Sequence, residues 1–266
     1  MNRGGTAGTG EVVTATDRRR PPGSPDLGLR PLTARSVIAS VLLGTHPPIL
    51  AVKALVQVGE LFGIAEGTMR VALSRMVADG ELITTDAHYR LGPRLADRQT
   101  RQDRGRWPEV TEWFGSWEIV LGTEGDGDHE TVGAGLDALH LAWAGGRTWL
   151  RPANLIRASS TPWPHGCLRF EGRPVADTTD DRTVAASLWD LDGWGHLGSD
   201  LIDAYHDADD PAERFVVAAA ILRHLRTDPL LPDALIDGAW PARGLRQTYE
   251  AFAEELHGLM VASVHR

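Results

Sequence analysis

The sequence predicts an α+β chain: a small helical module closed by a β-hairpin, a compact α/β region, and a mostly helical end. Three observations carry this. Apolar residues recur at helical spacing in three successive segments between Thr33 and Ala78, and two short strand-like runs follow at once. Further strand-like runs cluster between Ser116 and Arg173. Beyond residue 180 the pattern is helical again.

The chain has 266 residues, 42% hydrophobic and 24% charged, enough to bury a substantial core. Its net charge of −9 argues at first against nucleic acid, but the charge is uneven. Residues 27–106 carry 11 basic and 7 acidic side chains, a net of +4. Residues 107–266 carry 12 and 26, a net of −14. A phosphate-binding module needs local positive charge only, and an acidic body discourages indiscriminate wrapping by DNA. Cys167 is the single cysteine, so no intrachain disulfide forms, and a thiolate zinc site is not expected. That usage suits a reducing compartment. No run of 18 apolar residues and no apolar leader core is present, and a cytoplasmic location is expected. Residues 1–28, rich in Gly, Thr, Pro and Arg, read as a disordered tail.

The domain expected over 29–92 begins with a helix capped by Thr33 and stopped by Gly44 and the Pro47-Pro48 pair. A second helix covers 52–62, with Val52, Leu55, Val58 or Gly59, and Phe62 inward. After Gly63-Ile64 a third helix runs from Glu66 to Ala78 and ends at Gly80. Ala65, Met69, Ala72, Leu73 and Met76 share one face. Ala65 stands where a Ser or Thr cap would serve better. "ELITT" and "HYRL" around Asp86-Ala87 form a hairpin.

Three helices and a hairpin in about 60 residues describe a winged helix-turn-helix. With one face of the third helix buried, Gly67, Thr68, Arg70, Val71, Ser74 and Arg75 are left outside. They are small or polar and include two arginines, which suits a helix entering the major groove of double-stranded DNA. His88 and Arg90 are the hairpin's candidates for minor-groove or backbone contact.

Residues 93–106 read as a basic linker helix with Arg94, Arg98, Arg101, Arg104 and Arg106. Residues 107–180 read as a compact α/β domain, with strands in "SWEIVLG", "GRTWLRP" and "CLRFEGR" and one helix over 129–142. Residues 181–266 read as a helical C-terminal domain. One helix there opens on Asp210, Pro211 and Glu213, and the last carries Leu245, Tyr249, Phe252, Leu256 and Leu259.

Two stretches bear a family resemblance: "GIAEGTMRVALSRMVADGEL", with Val71-Ala72-Leu73-Ser74-Arg75-Met76 at its centre, and "RHLRTDPLLPDALIDGAWPARGLRQTYEAF", with its DP-x-LP run and Trp240-Pro241. With the order of modules between them, residues 30–255 resemble the PaaX-type transcriptional repressors of phenylacetate catabolism. The resemblance implies a winged helix, a central ferredoxin-like (Cas2-like) domain and a helical dimerisation region. It also implies a homodimer on a palindromic operator, acting as a repressor that is released by an aryl-CoA or acyl-CoA thioester effector. For such an effector Arg147, Trp149, Arg151, Trp163, His165 and Arg169, with Arg157 nearby, offer phosphate and ring contacts; salt bridges within the acidic body are the competing use.

Other constellations point elsewhere with less force. His196, Asp200, Asp203, His206 and Asp207 suit a solvated helix face better than a metal site. His165 and Cys167 lack an orienting partner and an oxyanion donor. "LGTEGDGDHE" is not a phosphate-cradling loop, because no lysine follows and no G-x-G-x-x-G is present. No cofactor and no enzymatic activity are expected. The competing functions are a metal-dependent Cas2-like nuclease using Asp126, Asp128 or Glu130, and a winged-helix adaptor that binds protein.

Overall fold

The computed structural model describes residues 27–30, 32–123, 129–175, 180–236 and 238–264. The tail up to residue 26 and Asp126 and Asp128 lie outside the described residues. The chain separates into two compact units. One is Met1–Asp103 with Ser199–Arg226 and Gly244–Arg266; the other is Arg104–Gly198 with Thr227–Arg243. Residues 181–266, read from sequence as one helical region, are therefore divided between the two.

The first unit opens with α1 (Ala34–Gly44). Thr33 caps it as expected: its side chain accepts from the Ser36 amide, and the Ser36 hydroxyl accepts from the Thr33 amide. A three-residue strand, β1 (Ile49–Ala51), leads into α2 (Val52–Leu61). Gly63 turns the chain with φ 70°, and Ile64 N–H closes back on the Gly59 carbonyl at 2.8 Å. Next come α3 (Glu66–Ala78), β2 (Leu82–Thr85) and β3 (His88–Leu91). The sheet order is β1-β3-β2, antiparallel throughout. The sequence pattern missed β1 because three residues are too few to show alternation. Helix α3 crosses α2 closely at Gly59, where a Cβ would lie 2.5 Å from Met69 Cγ.

Helix α4 (Pro93–Arg106) is expected from sequence as a linker, but much of it is packed. Buried Gln99 donates to the carbonyls of Leu42, Leu43 and Thr45, and so closes the open end of α1. The unit also holds the end of α7 (Leu191–Asp207), all of α8 (Pro211–Leu225) and most of α9 (Ala242–Val264). Asp210 caps α8 by accepting from Ala212 and Glu213 amides. Phe215 of α8 meets Phe62 at 4.7 Å and Phe252 at 5.8 Å, so these helices share the core of the three-helix module.

The second unit is built on β4 (Trp117–Gly122), α5 (His129–Asp137), β5 (Ala142–Gly145), β6 (Thr148–Pro152) and β7 (Cys167–Gly172). The strands lie in the order β5-β6-β4-β7, and each neighbouring pair is antiparallel. One sheet face packs Val120 and Trp149 against Val132, Leu136 and Leu139 at α5 and its end, with Trp163 alongside. The other packs Trp117 against Ala185 of α6 (Asp181–Leu188) and against Leu231, Leu235 and Ile236. The helix expected over 129–142 stops at Asp137, because His140 takes the left-handed turn position (φ 61°) and the chain re-enters the sheet at Ala142. Histidine in that place hides the stop that a glycine would have announced.

Candidate nucleic-acid interface

Helix α3 has two distinct faces. Met69, Leu73 and Met76 are buried against its neighbours. Opposite them Gly67, Val71, Ser74 and Ala78 run along the outward centre line, with Thr68 and Arg75 on one shoulder and Arg70 on the other. Every one of these residues is exposed, Val71 by 51%. A Cβ at Gly67 would meet nothing within 4 Å, so no packing inside the chain calls for glycine there. As the second residue of α3, Gly67 lies in the first turn, where glycine costs less than the roughly 0.5–1 kcal/mol of a helix interior. Ala65 provides no side-chain cap; the Thr68 amide turns back to the Ala65 carbonyl at 2.9 Å, and the Glu66 and Gly67 amides ahead of it are left for an outside acceptor.

The two arginines differ. Arg70 is held by Glu66 at 2.6 and 2.7 Å, one turn back on the same helix. Both side chains are more than half exposed (57% and 53%), and such pairs contribute only about 0.3–0.5 kcal/mol. Arg75 has no ion pair among the described residues. Arg35 ties α1 to the end of α3 through Asp79 at 3.0 Å and Glu81 at 2.7 Å. These hydrogen bonds, Glu81's first, raise its proton affinity further.

In the hairpin, Asp86 and Ala87 both have positive φ, 50° and 61°, which is the geometry of a tight two-residue turn. His88 and Arg90 are exposed; His88 Nδ1 lies 2.9 Å from the Asp86 carbonyl. On α4, Arg94, Arg101 and Arg104 are exposed, whereas Arg106 is buried over the Trp107 ring at 4.1 Å.

The arginines of the central sheet are arranged differently. Arg151 is 0% exposed and donates to Pro152 O, His140 O and Asn154 Oδ1. Burial first, then the charge of Arg157, lowers its pKa to about 9, so it is a cation at neutral pH. Asn154 passes the link on to the Leu230 carbonyl, and Leu230 N–H returns to Asp228 Oδ1. The DP-x-LP run is thus docked onto the sheet. Arg157 and Arg169 share Glu118 at 3.0 and 2.7 Å, and both stand over Trp163. Arg147 donates to the Gly122 and Thr123 carbonyls. Of the six residues read as effector contacts, Trp149 and Arg151 are interior, so they present no surface to a ligand. Arg147, His165 and Arg169 are exposed and Trp163 is half-buried.

A family model described as PaaX-like protein matches residues 33–99, from the start of α1 into α4. The solved structure of the uncharacterized protein Rv0674 from Mycobacterium tuberculosis is 38% identical. The match covers 86% of this chain and 98% of that one, with a TM-score of 0.72. The chain belongs to the PaaX-like family. No curated protein matches it. Membership marks this PaaX-like chain, at a coarse level, as a transcriptional regulator. Among its described residues no three potential metal ligands gather, and the His196 to Asp207 stretch lies along α7 with Leu201 and Tyr205 inward. Burial pushes the Cys167 thiol pKa up, the wrong direction for a nucleophile. No described helix is long and apolar enough to cross a membrane.

Proposed function

We propose that this PaaX-like chain regulates transcription by placing α3 in the major groove of a DNA duplex. The observation that carries the reading is the outward face of α3. It is small along its centre line, it has an exposed valine suited to a thymine methyl, and it has Arg75 unpaired at its side. In this reading the three helices and their sheet act as a winged helix-turn-helix, and the β2-β3 hairpin is the wing that brings His88 and Arg90 to the backbone. In the same reading the β5-β6-β4-β7 sheet is a ferredoxin-like one in which a loop replaces the second helix; the strand order supports it. The working form is a cytoplasmic homodimer on a palindromic operator, because paired half-sites require two-fold symmetry. It acts as a repressor released by an acyl-CoA or aryl-CoA effector, for which only Arg147, Trp163, His165 and Arg169 of the central group retain surface.

The test is selection of bound fragments from genomic DNA, followed by release with a panel of acyl-CoA thioesters. A shared inverted repeat among the fragments is the expected result. Enrichment no better than a random pool would end the reading. Metal-dependent cutting of the bound fragments would replace it with a nuclease.

A further inference from the structure

The first unit gathers five arginines from three separated parts of the chain. Arg98 and Arg101 stand on α4, Arg223 and Arg226 at the end of α8, and Arg30 just ahead of α1. The approach of the leading segment to α8 is fixed by Arg223 Nη2, which donates to the Gly28 carbonyl at 2.8 Å. Arg98 and Arg223 are half-buried, and Arg30, Arg101 and Arg226 form an exposed rim. Like charges brought together in this way need a counter-charge.

The described residues do not provide one. Arg30, Arg98, Arg101 and Arg226 make no ion pair there. The carboxylate that Arg98 feels is Glu81, which is engaged by Arg35 at 2.7 Å and reached by Arg94 at 3.8 Å. The negative end of α8 favours Arg223 and Arg226. It gives no reason for Arg98, whose Nε is buried without a hydrogen-bond partner. Desolvation, then the neighbouring arginines, hold Arg98 and Arg223 below the usual guanidinium range. A cluster of planar forks without a carboxylate is matched by the several oxygens of a phosphate.

We propose that Arg30, Arg98, Arg101, Arg223 and Arg226 form a binding site for a phosphate-bearing anion. The site does not depend on how α3 is used. Its phosphate can belong to a free small molecule or to the backbone of a bound duplex.

The experiment titrates the full chain, free of DNA, with inorganic pyrophosphate at constant ionic strength and reads the heat of binding. Saturable one-site binding is expected. Arg98→Gln and Arg226→Gln should each weaken it about tenfold or more, while Arg243→Gln, an exposed change outside the cluster, should leave it alone. Should Arg98→Gln fail to fold, Arg226→Gln on the exposed rim carries the test. The same variants are then bound to duplex DNA over a salt series. An unchanged salt slope assigns the site to a free phosphate compound. A slope reduced by about one per arginine assigns it to the DNA backbone. Absence of pyrophosphate binding with an unchanged slope overturns the proposal, and so does pyrophosphate binding equal in wild type and variants. Pyrophosphate binding by a chain that selects no DNA fragment keeps this site and removes only the reading of α3.

Discussion

Helix α3 and the central sheet are both rich in arginine, and they handle it in opposite ways. In the sheet, Glu118 receives Arg157 and Arg169, and backbone carbonyls receive Arg147 and Arg151. Of the arginines on α3 and its hairpin, Arg70 has only the exposed pair with Glu66 one turn back, and Arg75 and Arg90 have none among the described residues. Residue type is the same in both places. What differs is whether an acceptor from elsewhere in the chain comes within reach. Closed arginines hold a domain together; open ones are left for a partner.

The contrast can be broken most forcefully at Arg151. Replacing it with alanine leaves two carbonyls and Asn154 without their donor in the interior. We expect a loss of about 3–5 kcal/mol in urea unfolding, with DNA affinity per folded molecule unchanged. A loss under about 1 kcal/mol would mean the network is not structural.

The next effect is pH dependence in the same unit. His140 is lowered to about 4 by burial first and then by Arg151; Arg157 also lowers it, while Asp228 raises it. Its folded pKa lies below the unfolded value of 6.5, so the unfolded chain takes up the proton first. This contribution is therefore complete above pH 6.5 and is lost as pH falls toward 4, by roughly 3 kcal/mol in all. The urea midpoint followed by tryptophan fluorescence should fall across that window. His140→Asn, which tolerates the positive φ, should flatten the slope.

On α3, Arg75→Ala should cost about 1–3 kcal/mol in DNA affinity while moving stability by less than about 0.5 kcal/mol. Arg70→Ala should cost less, since Glu66 already competes for that side chain. Equal binding by both variants in a gel-shift titration would place the reader elsewhere. The smallest effect sharpens the contrast most. Gly67→Ala, in the first turn of α3, should raise stability by no more than about 0.5 kcal/mol yet weaken DNA binding. Unchanged binding would show that nothing approaches Gly67 closely.

Much of α3 was legible in advance. Its limits at Glu66 and Ala78 and the inward face of Met69, Leu73 and Met76 follow from the sequence, because these depend on residues within one or two turns. The spacing places Ala65 and Ala72 inward too, but Ala65 is exposed and Ala72 half-buried, because small side chains do not steer a helix face. The central region was less readable. His140 concealed a helix end, and Trp149 and Arg151, which look like ligand contacts in a list of residues, are interior in the folded sheet. The DP-x-LP run was visible as a motif, but its tie to Arg151 through Asn154 was not.

The sequence alone determined where α3 begins and ends, which residues cap α1 and α8, and that the basic charge lies toward the front of the chain. Each of these follows from neighbours a few positions apart. Tertiary structure alone decided which arginines are open, why Gln99 is buried at the end of α1, and how Arg30, Arg98 and Arg226 come to crowd one another. The reason is that burial and ion pairing are set by groups far away in the chain, and a guanidinium next to a carboxylate is chemically a different group from one next to another guanidinium.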